Sequence, residues 1–454
     1  MKNRIMIFVV ILVMAFTMSA CNTNKEQPPK PIDTRVMAYR LNEQQLLERQ
    51  WELAEQFHAT NVAVYRDTEG QSFFHVYSAP IEDSENMILP LEEGQYLNRG
   101  MYMPKIFPKV WSSEHPLEIE FGGSYAHILP VGEDTYTAEF SRAINMFGQE
   151  QDTVLYKDVF GSGIHLRCSA TSFGISMEIV LNAQPEQNTF HIRLAIPSVT
   201  PDTGSPDYIA FRALTTDTTV RAMLNTPLVA DKSNHWSYAN AVNLIEKDSE
   251  NDMYTVKFII DEEFLSSDTT QYPVTVNQSM HLYKSKQHDT SVYENTGDEA
   301  SHYLSPYLLL GNSTLKGEGW AYVRYEMLDK LYIDAEKIVS AKYVFRNLFD
   351  LPNEAAVGAY AVTEDWCSIN TRWDTRPAND ENPISQTVVQ KAGDYELDIT
   401  PLFKEMIKNV WKHTSTYSIN NSFLIKSDTP GSNMILASGD NGLFSPFLEV
   451  IVAE

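Results

Sequence analysis

Met253-Tyr254-Thr255-Val256-Lys257-Phe258-Ile259-Ile260 puts Tyr254, Val256, Phe258 and Ile260 at every second position. Successive side chains of an extended strand point to opposite faces, so this spacing predicts a strand with one apolar face inward. The same period recurs before it in Leu117, Ile119, Phe121; in Met177, Ile179, Leu181; and in Phe190, Ile192, Leu194, Ile196. It continues after it in Ala321, Val323, Tyr325, Met327, in Ala341, Tyr343, Phe345 and in Leu448, Val450, Val452. Polar residues fill many of the intervening positions, as antiparallel sheets with one wet face require. The turn sequences Phe121-Gly122-Gly123, Asp202-Thr203-Gly204 and Gly439-Asp440-Asn441-Gly442 punctuate the strands. The fold class expected is all-β, built as two sandwich-like modules of which the carboxy-terminal one is a jelly roll.

Composition agrees. The chain has 454 residues, 43% of them apolar and 11% aromatic, with 22 prolines and 20 glycines, which rules out wholesale disorder. Sixty acidic residues against 35 Lys plus Arg give a formal charge of −25, so an electrostatic grip on nucleic acid is excluded.

Lys2 and Arg4 precede an apolar run from Ile5 to Phe16, and Met18-Ser19-Ala20-Cys21 follows. Positive end, short apolar core and small residues in that order predict a secretory signal over residues 1–20. Small residues directly before a cysteine resemble the lipobox of bacterial lipoproteins, with Met18 at the position usually held by leucine. Lipidation of Cys21 is therefore expected, anchoring an exported protein in the bacterial cell envelope. Loss of Lys2 and Arg4 with the leader would take the charge from −25 to −27, which leaves no polybasic hold on lipid. Residues 21–58 are expected to hold the lipidated cysteine, a flexible tether and a helix. That helix would start at the N-cap Asn42, with Leu47, Trp51, Ala54 and His58 on one face. A second helix is expected over Pro401 to Lys412, capped by Thr400 and striped by Leu402, Met406 and Val410. The amino-terminal all-β module is placed at 59–283 and the carboxy-terminal one at 284–454, with the boundary after Tyr272-Pro273-Val274-Thr275-Val276. Cys168 and Cys367 read as separate buried thiols.

Segments of the second module resemble the DNRLRE-type domain, grouped with carbohydrate-binding module family 96. They are Asp289-Thr290-Ser291-Val292-Tyr293, Tyr307-Leu308-Leu309-Leu310-Gly311, Ala321-Tyr322-Val323-Arg324-Tyr325 and Ile338-Val339-Ser340-Ala341-Lys342. Trp366, Thr371-Arg372-Trp373-Asp374-Thr375-Arg376-Pro377, Leu397-Asp398-Ile399-Thr400 and Ser445-Pro446-Phe447-Leu448-Glu449-Val450 complete the order. The name-giving hexapeptide is absent, so no ligand preference carries over. Arg66-Asp67-Thr68, Tyr77-Ser78-Ala79-Pro80-Ile81 and Val154-Leu155-Tyr156-Lys157-Asp158-Val159 resemble the segment before such domains in bacterial surface proteins with Rhs or YD repeats. The resemblance implies a cell-surface, extracellular lipoprotein with a carbohydrate-binding β-sandwich.

Sugar binding needs aromatic faces with charged or amide groups beside them. Trp373, Asp374 and Arg376 are the leading candidates, with Trp366, Trp320 and Tyr293 as further contacts. No G-x-S-x-G elbow, H-E-x-x-H motif or Gly-rich phosphate loop is present, and runs such as Asp261-Glu262-Glu263 and Glu364-Asp365 do not pair carboxylates across a sugar. The expectation is therefore a non-enzyme without cofactor or metal, held to a membrane by lipid, with polysaccharide as partner. A protein–protein docking role and an unrecognised carbohydrate-active enzyme are the alternatives.

Overall fold

The computed structural model describes residues 43–54, 62–77, 89–91, 95–98, 105–121, 124–171, 174–205, 207–214, 219–233, 235–237, 241–247, 253–281, 287–296, 302–313, 316–325, 328–410, 421–444 and 446–453. The expected leader, Cys21 and the expected tether lie outside these residues. The chain is all-β, and its described residues form three antiparallel sheets of 13, 11 and 8 strands. Among the described residues there are three α-helices, Glu43–Arg49, Glu262–Ser266 and Thr400–Val410, and none is long and apolar enough to cross a membrane.

The sheets of eight and eleven strands face each other. Strand Met253–Ile260 alternates as its sequence requires, pairing with Thr189–Ala195 on one side and Ala241–Lys247 on the other. Its inward residues Tyr254, Val256, Phe258 and Ile260 meet Leu166, Cys168, Met177, Ile179 and Val276 of the opposite sheet in one core. Each such side chain, fully buried, is worth about 1.5–3 kcal/mol. Gly174 is required here: a Cβ would sit 1.9 Å from the Met280 carbonyl oxygen of the neighbouring strand.

The 13-stranded sheet curls over a second core containing Leu308, Val323, Tyr343, Phe345, Ile425 and Val450. Helix Thr400–Val410 closes it with Phe403, Met406 and Ile407, while Leu402 is only half-buried. Asp398 accepts from the Thr400 amide, and the Thr400 hydroxyl accepts from the amide of Ala341 in the adjoining strand. Thr400, expected as the cap, is instead the first helical residue, and its hydroxyl ties helix to sheet.

Two expectations are corrected. The first helix ends at Arg49; Gln50 takes a left-handed φ of 57°, and Trp51–Leu53 continues as a strand paired with Val62–Asp67. Trp51 stacks on Phe73 at 4.2 Å, and this contact wins over continuing the helical stripe. Strands Val62–Asp67 and Ser72–Tyr77, assigned by sequence to the amino-terminal module, belong to the 13-stranded sheet. Ser72–Tyr77 pairs along its whole length with Phe447–Val452, and Val62, Val64, Phe74 and Val76 sit in the second core. Alternation identifies a strand but carries no record of its partner.

The junction between the two cores is itself packed. Met146, Phe147 and Leu228 meet Leu309, Phe349, Ile435 and Phe444, and Tyr208 and Met223 meet Tyr303 and Leu304. Asp207 accepts from His302 Nδ1 and from Lys316 Nζ, both at 2.5 Å. Burial would raise the Asp207 pKa, but Lys316 and His302 outweigh it and hold the carboxyl well below the usual range. The turn Gly439-Asp440-Asn441-Gly442, read from sequence as an ordinary loop, lies in this junction, where a Cβ on Gly442 would touch Thr171 and His281.

Candidate ligand face

Outward-facing residues of the 13-stranded sheet fall in register from strand to strand. Val292 pairs with Trp320, Trp320 with Lys426, Lys426 with Gly358, and Gly358 with Gln386. Paired residues share a face, so these five make one row across the sheet. The next row runs Tyr322, Leu424, Tyr360. Alternate residues Ala321, Val323, Ile425, Val357 and Ala359 point the other way into the core.

The segment between strands Ala355–Ala361 and Ser385–Val389 folds back over this face. Thr363 N donates to Ala378 O at 2.8 Å, Asp380 N to Ala361 O at 2.9 Å, and Ile384 N to Ala359 O at 2.7 Å. Tyr322 Oη donates to Pro377 O at 3.1 Å, Arg324 donates to Trp366 O at 2.8 Å, and Ala378 N donates to Glu364 Oε2 at 2.9 Å. With both ends and the middle bonded, the segment is a preorganised wall. Burial, followed by a smaller opposing effect of Arg376 and a reinforcing one of Glu364, pushes the Tyr322 hydroxyl up, so it stays a neutral donor.

Trp373 is carried by that wall against Trp320, ring centroids 5.2 Å apart and tilted by 59°. Both indoles are half-buried. The Arg376 guanidinium lies 4.2 Å from the Trp373 ring centroid and 4.9 Å from that of Trp320, and donates to the Trp373 carbonyl. Lys426 Nζ lies 4.9 Å from the Trp320 ring and 4.3 Å from that of Tyr360. Trp320 Nε1 donates to Glu318 Oε1 at 2.8 Å, which fixes the ring. Among the described residues neither Arg376 nor Lys426 meets a carboxylate at ion-pair distance. Both cations are instead held by ring quadrupoles, with nitrogens left to bond a ligand.

Of the six residues singled out by sequence, the structure brings together Trp320, Trp373 and Arg376, and Asp374, the chain neighbour of Trp373, is exposed. Trp366 is only 7% exposed, packed on Tyr322 at 5.6 Å beneath the wall. Tyr293 is 1% exposed, one residue along from Val292 and so on the opposite face, where its ring meets His302 at 4.5 Å and Lys316 at 4.4 Å. These two are corrected from contact residues to packing residues. Lys426, Tyr360, Gln386 and Glu318 were missed. Each is ordinary within its own strand and gains meaning only from cross-strand register.

Other candidates resolve into structure. Asp261 caps helix Glu262–Ser266 by accepting from Glu263 N at 2.9 Å. His165 accepts from the amide of Asp158 at 3.0 Å. Cys168 is buried and free, while Cys367, expected buried, is exposed in the wall. Among the described residues no group of three or more His, Cys, Asp or Glu is placed to hold a metal.

What these features define is an all-β protein with an aromatic and cationic sheet face. No family model matches the chain, and no curated protein matches its sequence.

Proposed function

We propose that this chain is a non-catalytic, lipid-anchored protein of the bacterial cell surface that holds a cell-wall or extracellular polysaccharide on the outer face of its carboxy-terminal sheet. The observation that carries the reading is the half-buried indole pair Trp320 and Trp373, flanked by Arg376 and Lys426, which have no carboxylate partner among the described residues. Indole faces cover the apolar side of a pyranose ring, and the cations bond its hydroxyl or carboxylate oxygens. In a chain of charge −25, two cations held by aromatic rings, with no acidic partner among the described residues, favour a ligand that supplies oxygen acceptors. The resemblance to the DNRLRE-type domain points the same way, and the lipobox-like Met18-Ser19-Ala20-Cys21 supplies the anchor.

The test is retention of the full chain, in detergent, on immobilised neutral and acidic polysaccharides and on purified cell wall, with soluble product assayed in the flow-through. Retention without product, abolished in Trp373→Ala, is the expected result. Released oligosaccharide would favour a carbohydrate-active enzyme. No retention on any surface would overturn the reading and favour a protein partner.

A further inference from the structure

The outward row does not stop at Lys426. Beyond it the face continues over the small residues Gly358 and Ala356 to Gln386 and Val388, and Asp428 stands at the end of strand Ser422–Ser427, two residues after Lys426. Strands lie about 4.8 Å apart, so the path from Trp320 to Gln386 covers roughly 14 Å. That is room for a ligand longer than the indole pair alone can hold.

Asp428 is set up on this path. Tyr360 Oη donates to its Oδ1, and Gln386 Nε2 donates to its Oδ2 at 2.7 Å. The Tyr360 side chain is buried at 2% exposure whereas Asp428 is exposed, so a buried hydroxyl is committed to orienting a surface carboxylate. A carboxylate offers about four lone-pair sites, and two remain. Gly358 permits the arrangement: a Cβ there would lie 2.8 Å from Asp428 Oδ2 and 2.8 Å from the Tyr360 ring. The local turn does not depend on this side chain. Asp428 N donates to Ala356 O at 2.9 Å, Thr429 Oγ1 accepts from Ala356 N at 2.8 Å, and Ser427 Oγ bonds Ser432 Oγ at 2.6 Å.

We propose that Asp428, oriented by Tyr360 and Gln386 over Gly358, is a second ligand-contact point that accepts hydrogen bonds from hydroxyls of a sugar unit next to the one on Trp320 and Trp373. This rests on the polysaccharide reading of the same face. The carboxylate reads hydroxyl donors where Arg376 and Lys426 read acceptors, so the face discriminates by the sequence of groups along the chain rather than by one ring.

The experiment uses the full chain in detergent and a polysaccharide that retains it, measuring affinity and melting temperature for Asp428→Asn, Gln386→Ala, Gly358→Ala and Trp373→Ala. Asp428→Asn preserves size and removes charge-assisted acceptance, and a weakening of about tenfold or more with an unchanged melt is expected. Gly358→Ala, which displaces the carboxylate, should weaken binding likewise. Wild-type affinity in Asp428→Asn and Gln386→Ala, with binding lost in Trp373→Ala, would overturn the second contact point and leave the polysaccharide reading standing. Wild-type affinity in all four variants, or no retained polysaccharide at all, would overturn both.

Discussion

Asp207→Asn tests the junction between the two cores. In the native protein the carboxylate accepts from His302 and Lys316 at 2.5 Å each, with the Asp207 side chain 4% exposed and that of Lys316 16%. Asparagine keeps one acceptor oxygen and removes the negative charge that faces the largely buried Lys316 ammonium. Breaking a buried pair in this way costs about 3–5 kcal/mol near neutral pH. The cost carries a pH signature. Because the folded pKa is depressed, Asp207 stabilises the fold fully above its unfolded value of about 3.9, and the contribution is lost as pH falls below that toward the folded value. The stability difference between wild type and Asp207→Asn should therefore be flat from about pH 7 to pH 5 and shrink by about 1.4 kcal/mol per unit below about pH 4. Urea unfolding at a series of pH values measures it, and taking the difference cancels the titrating groups that do not touch Asp207. Adding Lys316→Met to Asp207→Asn should recover part of the loss, since the largely buried positive charge goes with it. A cost below about 1 kcal/mol at pH 7, or a difference unchanged at pH 3, would refute the reasoning.

Three further outcomes follow from other parts of the fold. Burial pushes the His281 pKa down to about 4, so the unfolded chain binds a proton that the folded one refuses between about pH 6.5 and 4; stability should fall by about 3 kcal/mol across that window, and His281→Gln should flatten the profile measured by thermal melts. Gly311 has φ +86° and a Cβ there would sit 2.1 Å from the Ser432 carbonyl oxygen, so Gly311→Ala should lower stability by about 2 kcal/mol or more in urea unfolding, against a smaller change for Gly204→Ala, where a Cβ would meet only the side-chain Asp202 Oδ1, at 3.2 Å. Residues 284–454 expressed alone lack the strands that pair with Phe447–Val452 and the buried Val62, Val64, Phe74 and Val76; exposed edge and lost core should make that fragment aggregate on size-exclusion chromatography, while a cooperatively folded monomer would contradict the pairing.

Strands whose alternation is strict were legible in the sequence, because a period of two reports a buried face directly: Met253–Ile260 and Thr189–Ala195 are as expected. Helix Thr400–Val410 was legible for the same reason at a period near four, although Phe403 and Ile407, outside the expected stripe, join Met406 in the core. Partnership was not legible. Nothing in Ser72-Phe73-Phe74-His75-Val76-Tyr77 says that its neighbour is Phe447–Val452, about 370 residues away, because backbone hydrogen bonds are the same for any sequence. The ligand face divides along that line. Trp373, Asp374 and Arg376 lie together in sequence and were found together, whereas Lys426, Gln386 and Asp428 come from strands that meet only in the folded sheet. Tyr293 failed for a local reason: at position 293 alternation turns the ring away from Trp320 and into the junction.

The central claim is that Trp320 and Trp373 form the contact surface for a polysaccharide. Hydroxyl-radical footprinting of the full chain, with and without a polysaccharide that retains it, tests this at the level of single residues. Protection of Trp320 and Trp373 on binding, with the exposed Val110, Val131 and Ile144 of the other half unchanged, is the predicted result. Unchanged modification of both indoles in the bound protein would contradict it.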